Sequence, residues 1–459
     1  MAPLFNFEPR PHRDLGNPYY VAWRQFLQRA EHWSSQEIVD YQLAELQRVV
    51  AHAYEHTTGY RALFDEAGVH PSMIRTLDDV RRLPFVTKEM IRDHLEEFSA
   101  PVPGRYYVTT GGSTGIPIGM YRDPVSFGKE LASKAHQYAR IGWREGDRQF
   151  VIRGLKIEGE DHVEFVPDLN ELRCSTYQFT PETMETYRQY ACRYRPQWLR
   201  CYPSSGYLFA RFLLETGREF PRLQGILCSS EGLYDFQKRA LQAAFDGARV
   251  FSHYGHYEMA VLAGFCEFQD TYHVLPQYGY AELVDRQGHP VTAPGQVGEI
   301  VATSFIMSAT PFIRYRTQDL AMFLGWSCSA CGRPYQVWER IEGRLQEFIV
   351  TASGRYLSPT MINMHDDTFD SVKQFQFYQK EMGKVIFRFI PRESCDDRAV
   401  ETMATKLRWK LGDDVELVME RVADIPLTSR GKHRFLVQEL KLSCADSALM
   451  RALETGDGR

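Results

Sequence analysis

A glycine-rich segment at residues 110–117, TGGSTGIP, has the composition of a site for a charged ligand. Glycines let a ligand approach the backbone N–H groups, and the hydroxyls of Ser113 and Thr114 add donors, so the segment could cradle phosphate. A Walker A loop would need Lys and then Ser or Thr after Gly115, but Ile116 and Pro117 follow it. The segment also lacks the Gly-x-Gly-x-x-Gly fingerprint of dinucleotide sites. A flexible surface turn is the alternative interpretation.

Five later segments follow the glycine-rich segment in a fixed order. They are CSSEG at residues 228–232, HYGHYE at 253–258, RYRTQDL at 314–320, RIEGRLQEF at 340–348 and PLTSRGKHR at 426–434. In this order the six segments resemble the motifs of the adenylate-forming superfamily, which contains acyl-CoA synthetases, nonribosomal adenylation domains and luciferases. The resemblance implies an α/β fold with a large N-terminal multi-layer α/β domain and a small mobile α+β C-terminal domain.

The same resemblance implies an ATP-dependent ligase. A carboxylate would attack the α-phosphorus of ATP, which gives an acyl-adenylate and pyrophosphate, and the acyl group would then pass to the thiol of coenzyme A. Phosphoryl transfer of this kind depends mainly on positioning and charge stabilisation. Three alternatives stay open: transfer to a carrier-protein phosphopantetheine, transfer to an amine, or a catalytically silent scaffold relative.

The resemblance also assigns roles to individual residues. Lys432 would stabilise charge on the α-phosphate in the transition state, and Glu258 would bind Mg²⁺, a hard cation that prefers carboxylate oxygen. Tyr254 would stack on adenine, and Asp319 would accept hydrogen bonds from the ribose hydroxyls. The residues expected to bind ATP or AMP are Thr110, Gly112, Ser113, Thr114, Gly115, Ser230, Glu231, Gly232, Tyr254, Gly255, Asp319, Arg340 and Arg344.

Within the superfamily, the sequence is most similar to the phenylacetate-CoA ligase branch and its capsule-biosynthesis-like relatives. The segments AHAYEHTTGYRALFDEAGV, LPFVTKEMIRDH and CSACGR carry this likeness. The acyl pocket of the family lies beside the Tyr-Gly motif, and its aromatic and polar candidates would suit an aryl or small polar acid. These candidates are Tyr202, Ser204, Ser205, Tyr207, His253, His256 and Tyr257.

Three positions depart from the family pattern. Gln318 replaces the glycine of the Tyr-Arg-Thr-Gly-Asp motif, which could shift Asp319. Ile116 stands where many members have a lysine, so the glycine-rich segment lacks that positive charge. Gln346 replaces the usual acidic residue of the hinge, a tolerable change because a hinge depends on backbone freedom more than on one side chain.

A second group of residues indicates a metal site. Cys328 and Cys331 form a Cys-x-x-Cys pair followed by Gly332, and Cys266 and His273 lie upstream. The four residues could complete a tetrahedral Cys₃His zinc site with a structural role, since all four positions would be filled by protein. Two reduced cysteines on a turn, with an unrelated buried Cys266, are the alternative.

The pattern of elements predicts how these residues are positioned. A capping box at Ser34 and Glu37 begins a helical N-terminal region. Helical patterns at residues 182–194 and 234–245 then alternate with short apolar runs at 149–152, 198–201, 225–228 and 249–252, which favours helices packed on largely parallel strands. Strands are predicted at 279–284 and 298–304. A compact α+β pattern begins near residue 344, so we predict an ATP- and acid-binding domain at 1–343 and a lid domain at 344–459.

Overall composition limits the classes of partner. The chain has 459 residues, 44% of them apolar and 25% charged, and a net charge of −5, so nothing predicts a nucleic-acid or anionic-lipid partner. No signal peptide or membrane-spanning run is evident, and nine scattered cysteines do not suggest a disulfide framework, so we expect a cytoplasmic protein. The expected partners are a small carboxylic acid, ATP with Mg²⁺, and CoA or another acceptor; the chain could also form a homodimer.

Overall fold

The computed structural model describes residues 7–109, 118–177, 179–344, 349–354, 356–357, 368–369, 371–426 and 434–440. Two units divide the chain: the first comprises residues 1–10, 147–252 and 342–459, and the second comprises residues 11–146 and 253–341. The predicted division into domains at 1–343 and 344–459 stays a prediction.

Helices of the second unit lie mainly in its N-terminal half. They are α1 (Pro18–Ala30), α2 (Ser35–His56), α3 (Thr58–Glu66), α4 (Lys88–Asp93) and α5 (Pro124–Ala139). The predicted capping box begins α2, where Ser34 Oγ accepts from the N–H of Glu37 and the Glu37 carboxylate accepts from the N–H of Ser34. Side-chain caps of this kind define where a helix starts because they satisfy N–H groups of the first turn.

Strands of the second unit are β1 (Tyr106–Thr109), β2 (Gly119–Arg122), β9 (Leu262–Phe265), β10 (Tyr272–Val274), β11 (Gly279–Val284), β12 (Val297–Ser304), β13 (Tyr315–Gly325) and β14 (Val337–Arg344), together with the end of β8 (Arg249–Gly255), which enters from the first unit. The strand order is β11-β12-β13-β14-β10-β9-β8, and β1 and β2 form a separate antiparallel pair. Each pairing between these strands that has an assigned direction is antiparallel, and an isolated bridge between Val86 and Tyr315 is parallel. Short turns join these strands, whereas a parallel pair needs a long crossover.

Parallel strands do form the first unit. Its strands β3 (Gln149–Arg153), β4 (Val163–Val166), β5 (Glu171–Ser175), β6 (Trp198–Cys201) and β7 (Gly225–Ser229) have the order β7-β6-β3-β5-β4, and only β4 pairs antiparallel. The helices α6 (Pro181–Tyr194), α7 (Pro203–Thr216) and α8 (Asp235–Ala244) provide the crossovers. Their apolar faces pack on strand residues such as Phe150, Leu199 and Ile226, all buried.

The C-terminal part of the first unit is a smaller α+β arrangement. Its elements are β15 (Ile349–Val350), β16 (Tyr356–Leu357), β17 (Val372–Glu381), β18 (Lys384–Pro391), α9 (Asp397–Leu411), β19 (Glu416–Arg421) and β20 (Leu436–Gln438). Four of the strands form a sheet of order β19-β18-β17-β20, and β15 pairs antiparallel with β16. The α/β class predicted for the chain is thus confirmed. In the described part of the chain, the helices are all too short or too polar to cross a bilayer.

Candidate active site

Tyr254 and Asp319, which lie 65 positions apart, meet in the second unit. Tyr254 is on the end of β8 and Asp319 is on β13, and the tyrosine hydroxyl donates a hydrogen bond to Asp319 Oδ2 at 2.6 Å. Trp338 of β14 packs edge-on to Tyr254, with ring centroids 6.0 Å apart. The geometry joins an aromatic face to a carboxylate, and these are the two groups that adenine stacking and ribose binding require.

Glu258 lies just beyond the end of β8. Its Oε1 accepts a hydrogen bond from the hydroxyl of Tyr315 at 3.2 Å, and its Oε2 is 3.3 Å from Nδ1 of His256. The Glu258 side chain is only 13% exposed, and that of His256 only 8%. A carboxylate held in this way is a suitable ligand for a hard divalent cation.

Gln318 keeps the backbone conformation that a glycine would adopt. Its φ is +62°, in the left-handed region that side chains disfavour. The next N–H, of Asp319, donates to Thr317 Oγ1 at 3.1 Å, and Thr317 Oγ1 itself donates to the carbonyl of Ile300 at 2.7 Å. These hydrogen bonds define the turn and keep Gln318 in its strained conformation. They therefore oppose the shift of Asp319 that we expected from the replacement of glycine by Gln318.

Other predicted site residues gather in the first unit, where β3, β6 and β7 end. Glu231 Oε2 accepts from the N–H of Ser204 at 3.0 Å, so this carboxylate caps the first turn of α7. Ser205 Oγ donates to the carbonyl of Ile152 at 3.1 Å. Ser230, between β7 and Glu231, has a φ of +71°, which is rare for a serine and frequent at functional sites.

Arg153 belongs with this group, although sequence reasoning missed it. It is the last residue of β3; its Nη2 donates to Ser229 Oγ, and its guanidinium lies 5.4 Å from the ring centroid of Tyr202. Ligands of α/β folds bind at the carboxyl ends of parallel strands. A charged residue directly after the apolar run at 149–152 was the signal that could have identified it.

The acyl-pocket candidates divide between the units. In the second unit, His253 Nδ1 lies 3.1 Å from the hydroxyl of Tyr138, a residue that the sequence did not suggest, and the Tyr257 ring lies under the guanidinium of Arg122. In the first unit, Tyr207 packs edge-on to Phe236 in a buried cluster, which suits a packing residue better than a ligand contact.

Several predicted site residues lie outside the described part of the chain: Thr110, Gly112, Ser113, Thr114, Gly115 and Lys432, together with the side chain of Arg344. The other interdomain arginine, Arg340, lies on β14, with Nη1 4.0 Å from Oε1 of Glu339 and a side chain that is 42% exposed.

The four predicted zinc ligands do come together. The ligand atoms of Cys266, His273, Cys328 and Cys331 all lie within 4.8 Å of one another in the second unit. Cys266 follows β9, His273 is on β10, and the Cys-x-x-Cys pair is in a turn closed by a hydrogen bond from the N–H of Gly332 to the carbonyl of Cys328 at 2.8 Å. Three sulfurs and one imidazole nitrogen at this spacing suit a tetrahedral zinc ion.

The surroundings of this cluster support a ligand role. Burial lowers the pKa of His273 to about 4, so the imidazole is neutral at pH 7, as a metal ligand must be. Burial also raises the pKa of the Cys266 thiol to about 12, so a metal would have to displace the thiol proton when it binds. His273 Nδ1 is buried and has no hydrogen-bond partner among the described residues. Arg333, next to the turn, pairs with Glu31 at 2.7 Å and with Glu267 at 2.7 Å, which anchors the turn.

Comparisons with known proteins agree with the motifs. Residues 349–439 match the family model of the CapK C-terminal domain. The phenylacetate-coenzyme A ligase of Pseudomonas putida is 26% identical over 365 residues, which cover 75% of this chain and 79% of the relative. Protein CapK of Staphylococcus aureus is 22% identical over 379 residues, which cover 80% of this chain and 82% of the relative.

A solved structure supports the fold. The crystal structure of 2-hydroxyisobutyryl-CoA ligase in the postadenylation state, in complex with 2-HIB-AMP, superposes with a TM-score of 0.72 at 20% identity and covers 92% of each chain. The resemblance drawn from the motifs is confirmed: the chain is related to the phenylacetate-CoA ligase-like and CapK-like branch of the adenylate-forming superfamily.

Proposed function

We propose that this protein is an AMP-forming carboxylate ligase that activates a carboxylic acid with ATP and transfers the acyl group to coenzyme A. The observation that carries the proposal is the hydrogen bond between Tyr254 and Asp319. Tyr254 lies four residues before Glu258 in the chain, and Asp319 directly follows Gln318, whose backbone is strained. A packing role alone does not explain why a strained turn holds a carboxylate against a tyrosine hydroxyl.

The first half-reaction needs positioning more than covalent chemistry. A carboxylate oxygen of the acid forms a bond to the α-phosphorus, the bond from that phosphorus to the bridging oxygen breaks, and pyrophosphate leaves with the electron pair. Asp319 would accept hydrogen bonds from ribose hydroxyls, and the ring of Tyr254 would stack on the base. Glu258 would hold Mg²⁺, which screens the phosphate charge when it is bound.

The second half-reaction replaces AMP on the acyl carbon with the sulfur of coenzyme A. The sulfur of coenzyme A attacks the acyl carbon, the thiol proton is released, and AMP departs with the electrons of the acyl–phosphate bond. We propose that Lys432 acts only in the first step, where charge builds on the α-phosphate. The lid role of residues 344–459 and the hinge near Arg344 and Gln346 belong to this proposal.

The acid is proposed to be aromatic or small. Phenylacetate-CoA ligases are among the relatives, and 2-hydroxyisobutyryl-CoA ligase and an anthranilate-CoA ligase are among the structural neighbours, so these acids should head any panel. Tyr202 and Arg153 supply an aromatic and a cationic group in the first unit. Action in the cytoplasm is part of the proposal.

We also propose that Cys266, His273, Cys328 and Cys331 bind one structural zinc ion. With four protein ligands, the ion would have no open position for substrate. It would brace the ends of β9, β10 and β13, the last of which carries Asp319.

ATP–pyrophosphate exchange over a panel of carboxylic acids tests the function directly. We expect exchange with at least one acid, its loss in Lys432→Ala, and its retention in Arg430→Ala, which removes a neighbouring cation of the same segment. Addition of CoA, a phosphopantetheinylated carrier or amines to the active acid then identifies the acceptor. Absence of exchange with every acid, despite tight ATP binding, would favour the scaffold alternative.

A further inference from the structure

Arg122 is a buried cation whose position the motifs do not explain. It is the last residue of β2, and β1 and β2, paired from Tyr106↔Arg122 to Thr109↔Gly119, flank the glycine-rich segment in the chain. Its side chain is nearly inaccessible, since the residue is 4% exposed. The element that follows the segment therefore carries a buried positive charge.

The partners of Arg122 are neutral. Its Nη2 donates to the carbonyl oxygen of Tyr257, and the guanidinium carbon lies 3.6 Å from the centroid of the Tyr257 ring. Its Nε is buried and has no hydrogen-bond partner among the described residues. Among those residues, no carboxylate forms an ion pair with it.

Carboxylates close to Arg122 in the chain, or close to its partner, have other contacts. Asp123 is the N-cap of α5, where its Oδ1 accepts from the N–H groups of Val125 and Ser126 at 2.9 Å. Glu258, next to Tyr257, accepts from the hydroxyl of Tyr315 at 3.2 Å. The other oxygen of Asp123, Oδ2, is buried without a hydrogen-bond partner among the described residues. Within this part of the chain, neither acid forms an ion pair with the guanidinium of Arg122.

A guanidinium taken out of water without a carboxylate costs a large free energy, which a carbonyl and an aromatic face offset only in part. A chain that keeps such a group against Tyr257, the residue before Glu258, has a use for its charge. We infer that Arg122 binds the phosphates of the nucleotide, a task for which a guanidinium is suited because it can donate two parallel hydrogen bonds. This inference rests on the proposed function.

Two further observations agree with this role. The lysine that many relatives have at the position of Ile116 is missing, so the glycine-rich segment itself supplies no cationic side chain for the phosphates. The Tyr257 ring that covers the guanidinium is 42% exposed, and exposed side chains change rotamer within nanoseconds. Rotation of this ring would open Arg122 to a ligand.

Arg105 provides a matched control. It lies just before β1, and its guanidinium also stacks on a tyrosine, Tyr121, at 4.2 Å. In contrast to Arg122, it pairs with a carboxylate, that of Glu96, at 3.4 Å. The two arginines differ in the feature on which the inference depends.

The test measures the affinity of the full chain for ATP, AMP and adenosine, each with Mg²⁺, by calorimetry or competition. We expect Arg122→Gln to weaken ATP binding at least about tenfold, to weaken AMP binding less, and to change adenosine binding less than about twofold. Arg122→Lys should be intermediate, and Arg105→Gln should bind all three as the wild type does. The lysine variant keeps the test valid if the glutamine variant does not fold.

Three outcomes would overturn the inference. Equal losses for ATP and adenosine would mean that Arg122 only holds the backbone of Tyr257. Unchanged ATP affinity, with a raised KM for the acid alone, would mean that Arg122 binds the carboxylate of the acid substrate and not the phosphates. A wild-type chain that binds none of the three ligands would refute the proposed function itself, whereas the first two results leave that function intact.

Discussion

The hydroxyl of Tyr254 and the carboxylate of Asp319 share a hydrogen bond of 2.6 Å that joins β8 to β13. Tyr254→Phe removes the donor and leaves the ring, so stacking on adenine should persist while Asp319 loses its orientation. Hydrogen bonds to charged groups are worth about 1.5–3 kcal/mol, so we expect the KM for ATP to rise about tenfold or more with little change in kcat.

The control for this prediction is Tyr54→Phe. Tyr54 also donates to a carboxylate, Asp65 Oδ1 at 2.8 Å, but it does so at an exposed position on α2. Steady-state kinetics with ATP varied should detect no change in this control. Equal KM values for Tyr254→Phe and the wild type would exclude an orienting role for the hydroxyl.

Gln318 should tolerate glycine and reject a β-branched residue. The left-handed backbone costs a side chain about 1–2 kcal/mol, while the freedom of glycine in the unfolded chain costs about 0.5–1 kcal/mol, so Gln318→Gly should change the free energy of unfolding by less than about 1 kcal/mol. Gln318→Val should lower it by more than about 1 kcal/mol, because valine is poorly accommodated at positive φ. Urea denaturation measures both, and a stable valine variant would contradict the strained backbone.

Zinc content is the direct test of the Cys₃His cluster. We expect about one zinc ion per purified chain by elemental analysis, and a lower melting temperature after chelation or in Cys328→Ser, because three remaining ligands bind zinc less tightly. Cys192→Ser, which alters a half-buried cysteine of α6 in the first unit, should change neither quantity. Substoichiometric zinc with a chelator-insensitive melting temperature would argue for two reduced cysteines on a turn.

The contacts of Glu171 predict that the stability of the fold depends on pH. Its carboxylate is 2% exposed and lies 2.7 Å from Arg173 and 2.8 Å from Arg200. Burial alone would raise its pKa, but the two guanidinium groups hold the pKa below its ordinary value of 4.5. A carboxylate whose pKa is lower in the folded than in the unfolded state stabilises the fold at pH values above its unfolded-state pKa. This contribution to the free energy of unfolding is lost as the pH falls below about 4.5.

Glu171→Gln should therefore lower the free energy of unfolding by about 3 kcal/mol at pH 7, because it leaves two cations without their anion. The difference from the wild type should narrow as the pH falls below about 4.5. Glu164→Gln removes a carboxylate that is 51% exposed and 3.8 Å from Arg173, and it should cost less than about 0.5 kcal/mol at either pH. A pH-independent difference for Glu171→Gln would contradict the pKa assignment.

Much of the local structure could be predicted from the sequence. The apolar run at 198–201 is β6, the run at 279–284 is β11, and the capping box at Ser34 begins α2. The spacing of Cys328 and Cys331, with Cys266 and His273 upstream, predicted the cluster that the structure brings together. The helix start, the strands and the Cys-x-x-Cys pair depend on neighbouring residues, since periodicity, caps and turn residues act over a few positions. The cluster itself joins residues that are distant in sequence, and it was predicted from the ligand set that zinc requires.

The sequence by itself determined the helices and strands, the order of the motifs and the identity of the candidate ligands. Only the tertiary structure decided which side chains meet. Tyr254 reaches Asp319 because β8 and β13 belong to one set of antiparallel strands. Arg153 on β3 reaches Ser229 on β7 because both strands pair with β6 in one register. That register depends on hydrogen bonds and burial over the whole sheet, and short-range patterns carry no information about it.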